Sequence, residues 1–367
     1  MCSVSFSLSG NAVDQKRGEE LISSGKIASL ILAGGSGSRL GFSGPKGTYP
    51  VTPFQHKSFF QLILERIKSA SQRARVLLPV AIMTSPANRD TTQHYLEANC
   101  YFGLDKDQVF LFEQKLQPLL DVTGEPFFLE SGAPALGPDG NGRVCSYLVE
   151  SGICSAWRSS GIQEVLLIPI DNILADPFDS ELCGYHERMG NEITLKAIET
   201  KDPKELLGRI SKESKGLRVF EYSELSEEQR GSLQYAYSGL LSFSLSFIEK
   251  MAGVELPVHL AHKKMFEKMV HKQETFIFDL LEYTTKSSAH IYPREEIFAP
   301  IKCSQDIPSA LQLLFAFNRQ VFYQVSGVLP PKKAFELDAA FYYPTEALIK
   351  KWKGRELPDK EYITVED

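Results

Sequence analysis

Long hydrophobic runs are missing from this sequence. No uninterrupted apolar segment reaches the roughly 18 residues that a membrane-spanning helix requires. Residues 1–10 have neither a basic flank nor a continuous apolar centre, so they do not predict a signal peptide. We therefore expect no membrane partner.

An excess of basic residues is also missing. The chain carries 40 Lys and Arg residues against 46 Asp and Glu residues, which gives a formal net charge of −6 at pH 7. A general nucleic-acid-binding protein presents a basic patch or stripe, whereas the Lys and Arg residues here are scattered. We therefore expect no nucleic-acid partner.

Cysteine is sparse, with 6 residues among 367. None of them form a Cys-x-x-Cys pair, and no histidine cluster accompanies them, so we expect neither a zinc site nor a disulfide framework. Free thiols in a reducing compartment explain these scattered cysteines more simply. We therefore predict a cytoplasmic protein.

The remaining composition is that of an ordinary globular protein, with 43% hydrophobic and 23% charged residues. Strand-like and helix-like patterns alternate from Ile27 onward, which predicts an α/β fold with a mainly parallel central sheet and helices on both faces. After about residue 190 the patterns indicate more strands. Predicted strands cover residues 27–33, 79–84, 108–113, 164–170, 193–198, 217–220 and 239–243. Predicted helices cover residues 15–23, 88–99, 144–159, 275–283 and 307–324, with one more around 60–67 and a polar connection over 225–232.

A glycine-rich stretch follows the first buried strand. Residues 32–41 read Leu-Ala-Gly-Gly-Ser-Gly-Ser-Arg-Leu-Gly, and residues 45–47 read Pro-Lys-Gly. Glycines let the backbone turn sharply and approach a ligand closely, and Arg39 and Lys46 add two positive charges. A strand, a glycine loop and fixed cations together suit a polyphosphate. The alternative is a plain turn between a strand and a helix, which the two cations make less favoured.

Two familiar phosphate loops do not match this stretch. A Walker loop requires a Gly-Lys-Ser/Thr triplet, but here Pro45 precedes Lys46 and the order is Lys-Gly-Thr. The dinucleotide fingerprint requires Gly-x-Gly-x-x-Gly, whereas Gly35, Gly37 and Gly41 are spaced Gly-x-Gly-x-x-x-Gly. This spacing weakens the hypothesis of a nicotinamide-dependent oxidoreductase.

The stretch resembles the loop of UDP-N-acetylglucosamine pyrophosphorylases and of the wider group of UDP-sugar pyrophosphorylases. Their signature is similar to Leu-x-x-Gly-Gly-x-Gly-Thr-Arg-Leu-Gly followed by Pro-Lys, and only Ser38 departs from it. The resemblance covers about residues 27–324. It implies a Rossmann-like nucleotidyltransferase that joins a hexose-1-phosphate to UTP, releases pyrophosphate and uses Mg²⁺ or Mn²⁺. It also implies a catalytic domain over 27–324, after an N-terminal lead-in over 1–26 and before a small C-terminal subdomain or tail over 325–367.

The resemblance assigns catalytic roles to charged residues. It places Arg39 at the β- and γ-phosphates of UTP and Lys46 at the α-phosphate. Lys302 ends a Glu-Ile-Phe-Ala-Pro-Ile-Lys segment similar to the family's Glu-Phe-Ser-Pro-Leu-Lys, which implies a contact with the sugar-nucleotide phosphates. Asp171 follows a buried strand in Ile-Asp-Asn, where a carboxylate suits a metal ion that bridges phosphates. The alternative for Asp171 is a helix cap or turn residue, and Asp279 stays open as a second ligand or a structural residue.

The resemblance also assigns binding residues. For UTP it implies the loop backbone together with the uracil-contacting Gln114 and Gly140, so the set is Leu32, Ala33, Gly34, Gly35, Gly37, Gln114 and Gly140. For the sugar it implies Asn141, Gly208, Glu221, Phe276 and Phe278, although two aromatic residues so close together are also typical of a core.

The chain departs from the family at residues 236–240, Ala-Tyr-Ser-Gly-Leu, where the family reads Asn-Ala-Gly-Asn. Tyr237 takes the place of the asparagine that contacts the sugar, so both N-acetylglucosamine and glucose remain open as the sugar. The alternative function is a regulatory relative that binds a nucleotide sugar without turnover. The presence of Arg39, Lys46, Asp171 and Lys302 speaks against that alternative.

Overall fold

Strands and helices alternate through the first half of the protein. The computed structural model describes residues 6–265 and 268–367. The strands in those residues are β1 (Phe6–Leu8), β2 (Ile27–Leu32), β3 (Val80–Thr84), β4 (Val109–Glu113), β5 (Leu116–Pro118), β6 (Leu136–Pro138), β7 (Glu164–Pro169), β8 (Ile193–Glu199), β9 (Arg209–Glu213), β10 (Gly216–Phe220), β11 (Tyr235–Ser244), β12 (His259–Met265), β13 (Lys268–Glu274), β14 (Ser287–Ile291), β15 (Glu336–Leu337) and β16 (Tyr362–Ile363). The helices are α1 (Ala12–Ser23), α2 (Phe59–Ala74), α3 (Arg89–Ala98), α4 (Val144–Glu150), α5 (Ile153–Ser159), α6 (Ser180–Met189), α7 (Glu227–Ser232), α8 (Leu245–Lys250), α9 (Arg294–Ile297), α10 (Ile307–Ser326) and α11 (Glu346–Trp352).

A large sheet forms the centre of the molecule. Its main path follows the order β1-β14-β8-β11-β7-β2-β3-β4, with β9 and β10 attached beside β11. The pairings along this path are parallel except those of β11, which runs antiparallel to β7 and to β8. The predicted α/β fold with a mainly parallel central sheet is confirmed.

Helices cover both faces of this sheet because successive strand residues point to opposite sides. Leu30 pairs with Leu167, and both pack into the core layer that includes α4 and α5. Their neighbours Ile31 and Ile168 pack into the opposite layer, which includes α2. All four side chains are buried, which is why both strands read as continuous apolar runs in the sequence.

The strand order reverses direction next to β2. The chain passes from β2 to β3 and then β4 on one side, and β7 later pairs with β2 on the other side. Open α/β sheets bind ligands at the carboxyl ends of the strands where this reversal occurs. Leu32 pairs with Pro169 at these ends, so the loop that follows β2 and the segment that carries Asp171 leave the sheet side by side.

The N-terminal segment is part of the sheet, not a separate lead-in. β1 pairs with β14, and α1 packs closely on α6. A Cβ atom at Gly184 would lie 1.9 Å from the carbonyl oxygen of Asp14, so only glycine permits this approach. Arg188 also donates two hydrogen bonds to the Asp14 carboxylate, at 2.6 and 2.8 Å. The sequence did not predict β1 because three residues are too few for an alternating pattern.

The C-terminal residues form a small core of their own, but its boundary differs from the prediction at residue 325. Helix α10 extends to Ser326 and stops at Gly327, whose φ of 74° belongs to the left-handed region. Phe322 of this helix packs against Phe341 and Trp352 of the C-terminal residues. The subdomain therefore shares a helix with the rest of the chain, and no linker separates the two.

Several local predictions were wrong for identifiable reasons. The helix predicted over 144–159 is two helices, because Gly152 between them has a φ of 81°. The helix predicted over 275–283 is a 3₁₀-helix over Ile277–Tyr283. The polar connection over 225–232 contains α7. The hairpin of β12 and β13 was not predicted because its lysine- and histidine-rich strands lack an apolar alternation. No helix in the described ranges is long and apolar enough to cross a membrane.

Candidate active site

The glycine-rich loop is held in place by backbone contacts and by one asparagine. The amide of Asn88 donates to the carbonyl oxygens of Ala33 at 3.0 Å and Gly35 at 3.4 Å. The N–H of Lys46 donates to the carbonyl of Gly35 at 3.1 Å, which closes the loop. Asn88 belongs to none of the sequence motifs. Its role was not predicted, because an isolated asparagine before a helix resembles an ordinary cap residue.

Gln114 lies directly against this loop. A Cβ atom at Gly34 would stand 2.4 Å from the Gln114 side-chain nitrogen, so the absence of a side chain at Gly34 allows the contact. Gln114 follows β4 and is buried. The structure therefore brings together two predicted UTP-binding residues that lie eighty residues apart in the sequence.

Asp171 is the buried centre of a charge cluster. Its Oδ2 atom accepts hydrogen bonds from the Nζ atoms of Lys46 at 2.7 Å and Lys302 at 2.9 Å. The side chains of Lys46 and Asp171 are 7% and 9% exposed, while that of Lys302 is 55% exposed. Three of the predicted catalytic and metal-binding residues thus meet within hydrogen-bonding distance.

The cluster shifts the pKa of its members. Burial works to raise the pKa of Asp171, but the charges of Lys302 and Lys46 outweigh it and hold that pKa below its ordinary value. Burial lowers the pKa of Lys46, and the charge of Asp171 opposes this only in part because Lys302 and Arg39 also repel the Lys46 ammonium group. We conclude that Asp171 is a carboxylate at neutral pH.

Asn172 connects the Asp171 segment to the Lys302 segment. Its side chain is 1% exposed, donates to the carbonyl of Ile297 at 2.7 Å and accepts from the N–H of Ala299 at 3.0 Å. The N–H of Ile301 donates to the carbonyl of Asp171 at 2.9 Å. Asn172 therefore fixes the position of Lys302, a role that the sequence did not predict.

Arg39 stands apart from this cluster. It is exposed in the 3₁₀-helix Ser38–Leu40 and makes no ion pair with any residue that the structure describes. Its positive charge still contributes to lowering the pKa of Lys46. An exposed, unpaired guanidinium at the edge of a glycine loop is available to bind phosphate oxygens.

A cavity of about 450 Å³ lies beside the cluster, at the carboxyl ends of β2 and β7. Most of the residues that line it belong to the second half of the chain, and both polar and apolar side chains are among them. The predicted site residues that line it are Leu32, Asn141, Asp171, Gly208, Glu221, Tyr237, Phe278 and Lys302. The other predicted residues do not line this cavity. They are Ala33, Gly34, Gly35, Gly37, Arg39, Lys46, Gln114, Gly140 and Phe276.

The turn that contains Gly140 and Asn141 is fixed against Thr275. The carbonyl of Thr275 accepts the N–H of Asn141 at 3.1 Å, and Gly140 has a φ of 88°. A Cβ atom at Gly140 would lie 2.3 Å from that carbonyl, so glycine is required here. The Oδ1 atom of Asn141 accepts the N–H of Ile277 at 3.0 Å, which leaves its amide N–H₂ group for the cavity that Asn141 lines.

Tyr237 lines the same cavity as Lys302. Its N–H donates to the carbonyl of Gly208 at 2.9 Å, which joins two predicted sugar-binding residues. Burial raises the pKa of the Tyr237 hydroxyl, and this Oη atom has no hydrogen-bond partner in the described part of the chain. A buried hydroxyl without a partner costs free energy, which a ligand hydroxyl could recover.

The remaining sugar-side residues pack against one another. Phe276 stacks on Phe278 with ring centroids 5.0 Å apart, and His259 lies 4.7 Å from the Phe276 ring. Burial raises the pKa of Glu221, with a smaller contribution from neighbouring Glu224. Phe278 lines the cavity while most of its surface lies in the core, so its role in sugar binding stays a prediction.

Asp279 does not join the charge cluster around Asp171. Its Oδ2 atom lies 3.0 Å from His259 Nε2 and 3.4 Å from the N–H of Phe276. The structural alternative for Asp279 therefore accounts for its contacts.

The free carboxylate oxygen of Asp171 suits a magnesium ion that takes its other ligands from phosphates and water. The Oδ1 atom of Asp171 is buried and has no hydrogen-bond partner among the residues described. No cluster of three or more His, Cys, Asp or Glu residues that could hold a metal exists in the described ranges. Mg²⁺ typically uses one or two carboxylates and completes its shell with phosphates and water.

The site consists of a glycine loop at the end of β2, a carboxylate at the end of β7 and flanking cations. These features are typical of α/β proteins that bind phosphorylated nucleotides. Comparison with known families agrees. The family model described as UTP–glucose-1-phosphate uridylyltransferase matches residues 7–345. The chain belongs to this family, which confirms the predicted resemblance and supports the predicted uridylyltransferase chemistry.

Individual relatives agree with the family. UDP-N-acetylglucosamine diphosphorylase 2 of Arabidopsis thaliana is 34% identical over 333 residues, which cover 82% of this chain and 66% of the plant protein. The chain thus spans about two thirds of that relative's length. A crystal structure from Entamoeba histolytica is similar with a TM-score of 0.86 and 28% identity, covering 96% of both chains. The UDP-N-acetylglucosamine pyrophosphorylase of Trypanosoma brucei, solved with an inhibitor, is similar with a TM-score of 0.78 and 27% identity, covering 88% of this chain and 73% of that one.

Proposed function

We propose that this chain is a UTP-dependent hexose-1-phosphate uridylyltransferase that forms a UDP-sugar and pyrophosphate. One observation carries the proposal: Lys46 and Lys302 converge on one oxygen of buried Asp171, next to a glycine loop at the carboxyl ends of the strands. Two anionic substrates must meet in this reaction, so catalysis consists mainly of positioning and charge neutralisation. A cluster of cations around one carboxylate meets that requirement.

In the proposed reaction an oxygen of the hexose-1-phosphate attacks the α-phosphorus of UTP. The bond from the α-phosphorus to the bridging oxygen breaks, and pyrophosphate leaves with the electron pair. Lys46 stabilises the charge on the α-phosphate, and exposed Arg39 binds the departing phosphates. Lys302 orients the phosphate of the sugar because its side chain reaches Asp171 from the cavity side.

We propose that Asp171 holds Mg²⁺ through its unpartnered Oδ1 atom. Bound there, the ion would neutralise phosphate charge and act as a Lewis acid. Lys46 and Lys302 keep Asp171 ionised, so the carboxylate is ready to bind a cation at neutral pH.

We propose a hexose as the sugar, with N-acetylglucosamine and glucose as the two candidates. The names of the relatives point to N-acetylglucosamine, whereas the family description names glucose-1-phosphate. Glu221, the backbone of Gly208 and the hydroxyl of Tyr237 offer the polar groups that a hexose ring needs. We place the protein in the cytoplasm, as its sparse cysteines predict.

The test is a panel of pyrophosphate-release assays. UTP is combined with N-acetylglucosamine-1-phosphate, glucose-1-phosphate or galactose-1-phosphate, each with and without Mg²⁺. The proposal expects Mg²⁺-dependent release with at least one of these sugars. Binding of a UDP-sugar by calorimetry without release from any of them would support the regulatory alternative instead.

A further inference from the structure

We infer that the ion pair between Glu205 and Arg294 positions the sugar-side wall of the cavity against the segment that carries Lys302. This inference rests on the proposed function and identifies two positioning residues for it. Both side chains line the cavity, together with Gly208 and Lys302. Neither residue belongs to the motifs that predict the site. We call the Glu205–Arg294 pair the mouth clasp.

The mouth clasp has the geometry of a strong pair. Arg294 Nη1 donates a hydrogen bond to Glu205 Oε2 at 3.0 Å, and Arg294 Nη2 lies 2.8 Å from Glu205 Oε1, so each terminal guanidinium nitrogen faces one carboxylate oxygen. The side chains are only 19% and 22% exposed, which limits screening by water and salt. A bidentate arginine–carboxylate pair fixes orientation as well as distance.

Arg294 has further contacts that hold it in one place. Its Nη1 atom also reaches the carbonyl of Glu199, at the end of β8, at 3.4 Å. Its guanidinium lies over the Phe298 ring, 5.1 Å from the centroid. Phe298 lines the cavity as well. Arg294 thus connects the cavity wall on its own segment to the residues that follow β8.

The clasp joins two segments that the sheet alone does not hold together. One is the irregular connection from β8 to β9, which contains Glu205, Leu206 and Gly208. Leu206 is 67% exposed although it lines the cavity, so burial of its side chain does not fix this connection. The other segment begins with α9 at Arg294 and leads to Lys302. The clasp is therefore a direct side-chain link between these two walls, and both of its members line the cavity.

This placement predicts an effect on one substrate only. The hexose-1-phosphate must bind its phosphate near Lys302 and its ring near Gly208, so it depends on the distance between the two walls. UTP instead depends on the glycine loop after β2, and in the described part of the chain no hydrogen bond or ion pair joins that loop to the clasp. Loss of the clasp should therefore raise KM for the sugar phosphate and leave KM for UTP unchanged.

A second ion pair provides a matched control. Lys201 Nζ lies 2.5 Å from Glu295 Oε1 and joins the same two segments. Its side chains are 61% and 56% exposed, and neither residue lines the cavity. Exposed pairs of this kind contribute little, so Lys201→Gln should leave both KM values near those of the wild type.

The test is a double-mutant cycle with Glu205→Gln, Arg294→Gln and the double variant. We expect each single change to raise KM for the hexose-1-phosphate by roughly fivefold to tenfold, and the double change to raise it little further. KM for UTP should stay within about twofold. Arg294→Lys, which keeps the charge but loses the two-point contact of the guanidinium group, should give an intermediate KM. Thermal melting of each variant establishes that it is folded.

Two results would overturn the inference. The first is an unchanged KM for the sugar phosphate in a folded Arg294→Gln variant, measured where the wild type is active. The second is an equal rise in both KM values, because that would indicate a general loss of structure. A wild type that releases no pyrophosphate with any sugar phosphate overturns the proposed function itself, and the inference with it.

Discussion

The ammonium group of Lys46 lies 2.7 Å from Oδ2 of Asp171, although 125 positions separate the two residues in the chain. Parallel pairing of β2 and β7 causes this meeting, because it brings the segments that follow both strands to one edge of the sheet.

Metal removal should abolish activity. Chelation with EDTA is expected to stop pyrophosphate release, and added Mg²⁺ should restore it. Asp171→Asn keeps the size of the side chain but removes its charge, so we expect the Mg²⁺ concentration for half-maximal activity to rise and kcat to fall by about a hundredfold.

Asp179→Asn is the control for this metal prediction, because Asp179 also forms a buried ion pair, with Lys196, but lies outside the site. It should lose stability and keep the wild-type Mg²⁺ dependence. Full activity of wild-type protein in EDTA would contradict the role of Asp171.

The hydroxyl of Tyr237 should contribute to sugar binding. We expect a sugar hydroxyl to form the hydrogen bond that the Tyr237 hydroxyl otherwise lacks. Tyr237→Phe should therefore lower kcat/KM for the hexose-1-phosphate by roughly fivefold to tenfold and leave KM for UTP unchanged. Tyr237→Asn should shift the preference toward N-acetylglucosamine-1-phosphate.

Tyr235→Phe, on the same strand but stacked on Phe6 and away from the cavity, is the matched control for Tyr237. Its kinetics should equal those of the wild type. An unchanged kcat/KM in Tyr237→Phe would indicate that the hydroxyl does not contact the sugar.

His186 should make the protein sensitive to acid. Its ring is buried against the Thr194 hydroxyl at 2.9 Å, and burial lowers the pKa of His186 to about 3. Between that pKa and the unfolded value of about 6.5, only the unfolded chain binds the proton, so the free energy of unfolding falls as the pH falls. This residue alone should reduce it by about 2 kcal/mol between pH 7 and pH 5.

Urea unfolding at pH 7 and pH 5 tests whether the free energy of unfolding falls as the pH falls. His186→Asn should remove about 2 kcal/mol of the difference between pH 7 and pH 5, because asparagine does not titrate. His94→Asn, at an exposed position on α3, should leave the difference as it is in the wild type. Equal pH dependence in the wild type and His186→Asn would contradict the assignment.

The sequence predicted the parts of the site that strong local patterns determine. β2 and β7 are buried on both faces, so their apolar runs were visible, and Gly34, Gln114 and Asp171 follow strand ends as expected. The sheet order then placed these strand ends side by side. The assigned roles of the site residues remain predictions until they are measured.

The parts that the sequence did not predict depend on contacts between distant segments. Asn88 and Asn172 act through hydrogen bonds from their side chains to the backbone, and nothing in the local sequence separates them from ordinary turn residues. The mouth clasp requires that α9 lie beside the loop after β8, which only the folded sheet establishes. β1 has three residues, and its position depends on pairing with β14 at the other end of the chain.

The most direct test of the central claim compares two buried lysines. Lys46→Met removes a cation from the site, and Lys57→Met removes one from the Lys57–Glu65 ion pair outside it. The side chains of the two lysines are 7% and 6% exposed, so each substitution replaces an almost equally buried lysine with methionine. The measurement is kcat for pyrophosphate release from UTP and the preferred hexose-1-phosphate, with thermal melting of both variants. We predict that Lys46→Met loses at least about a hundredfold in kcat, while Lys57→Met loses stability and keeps near-wild-type kcat. Near-normal pyrophosphate release by Lys46→Met would contradict the account.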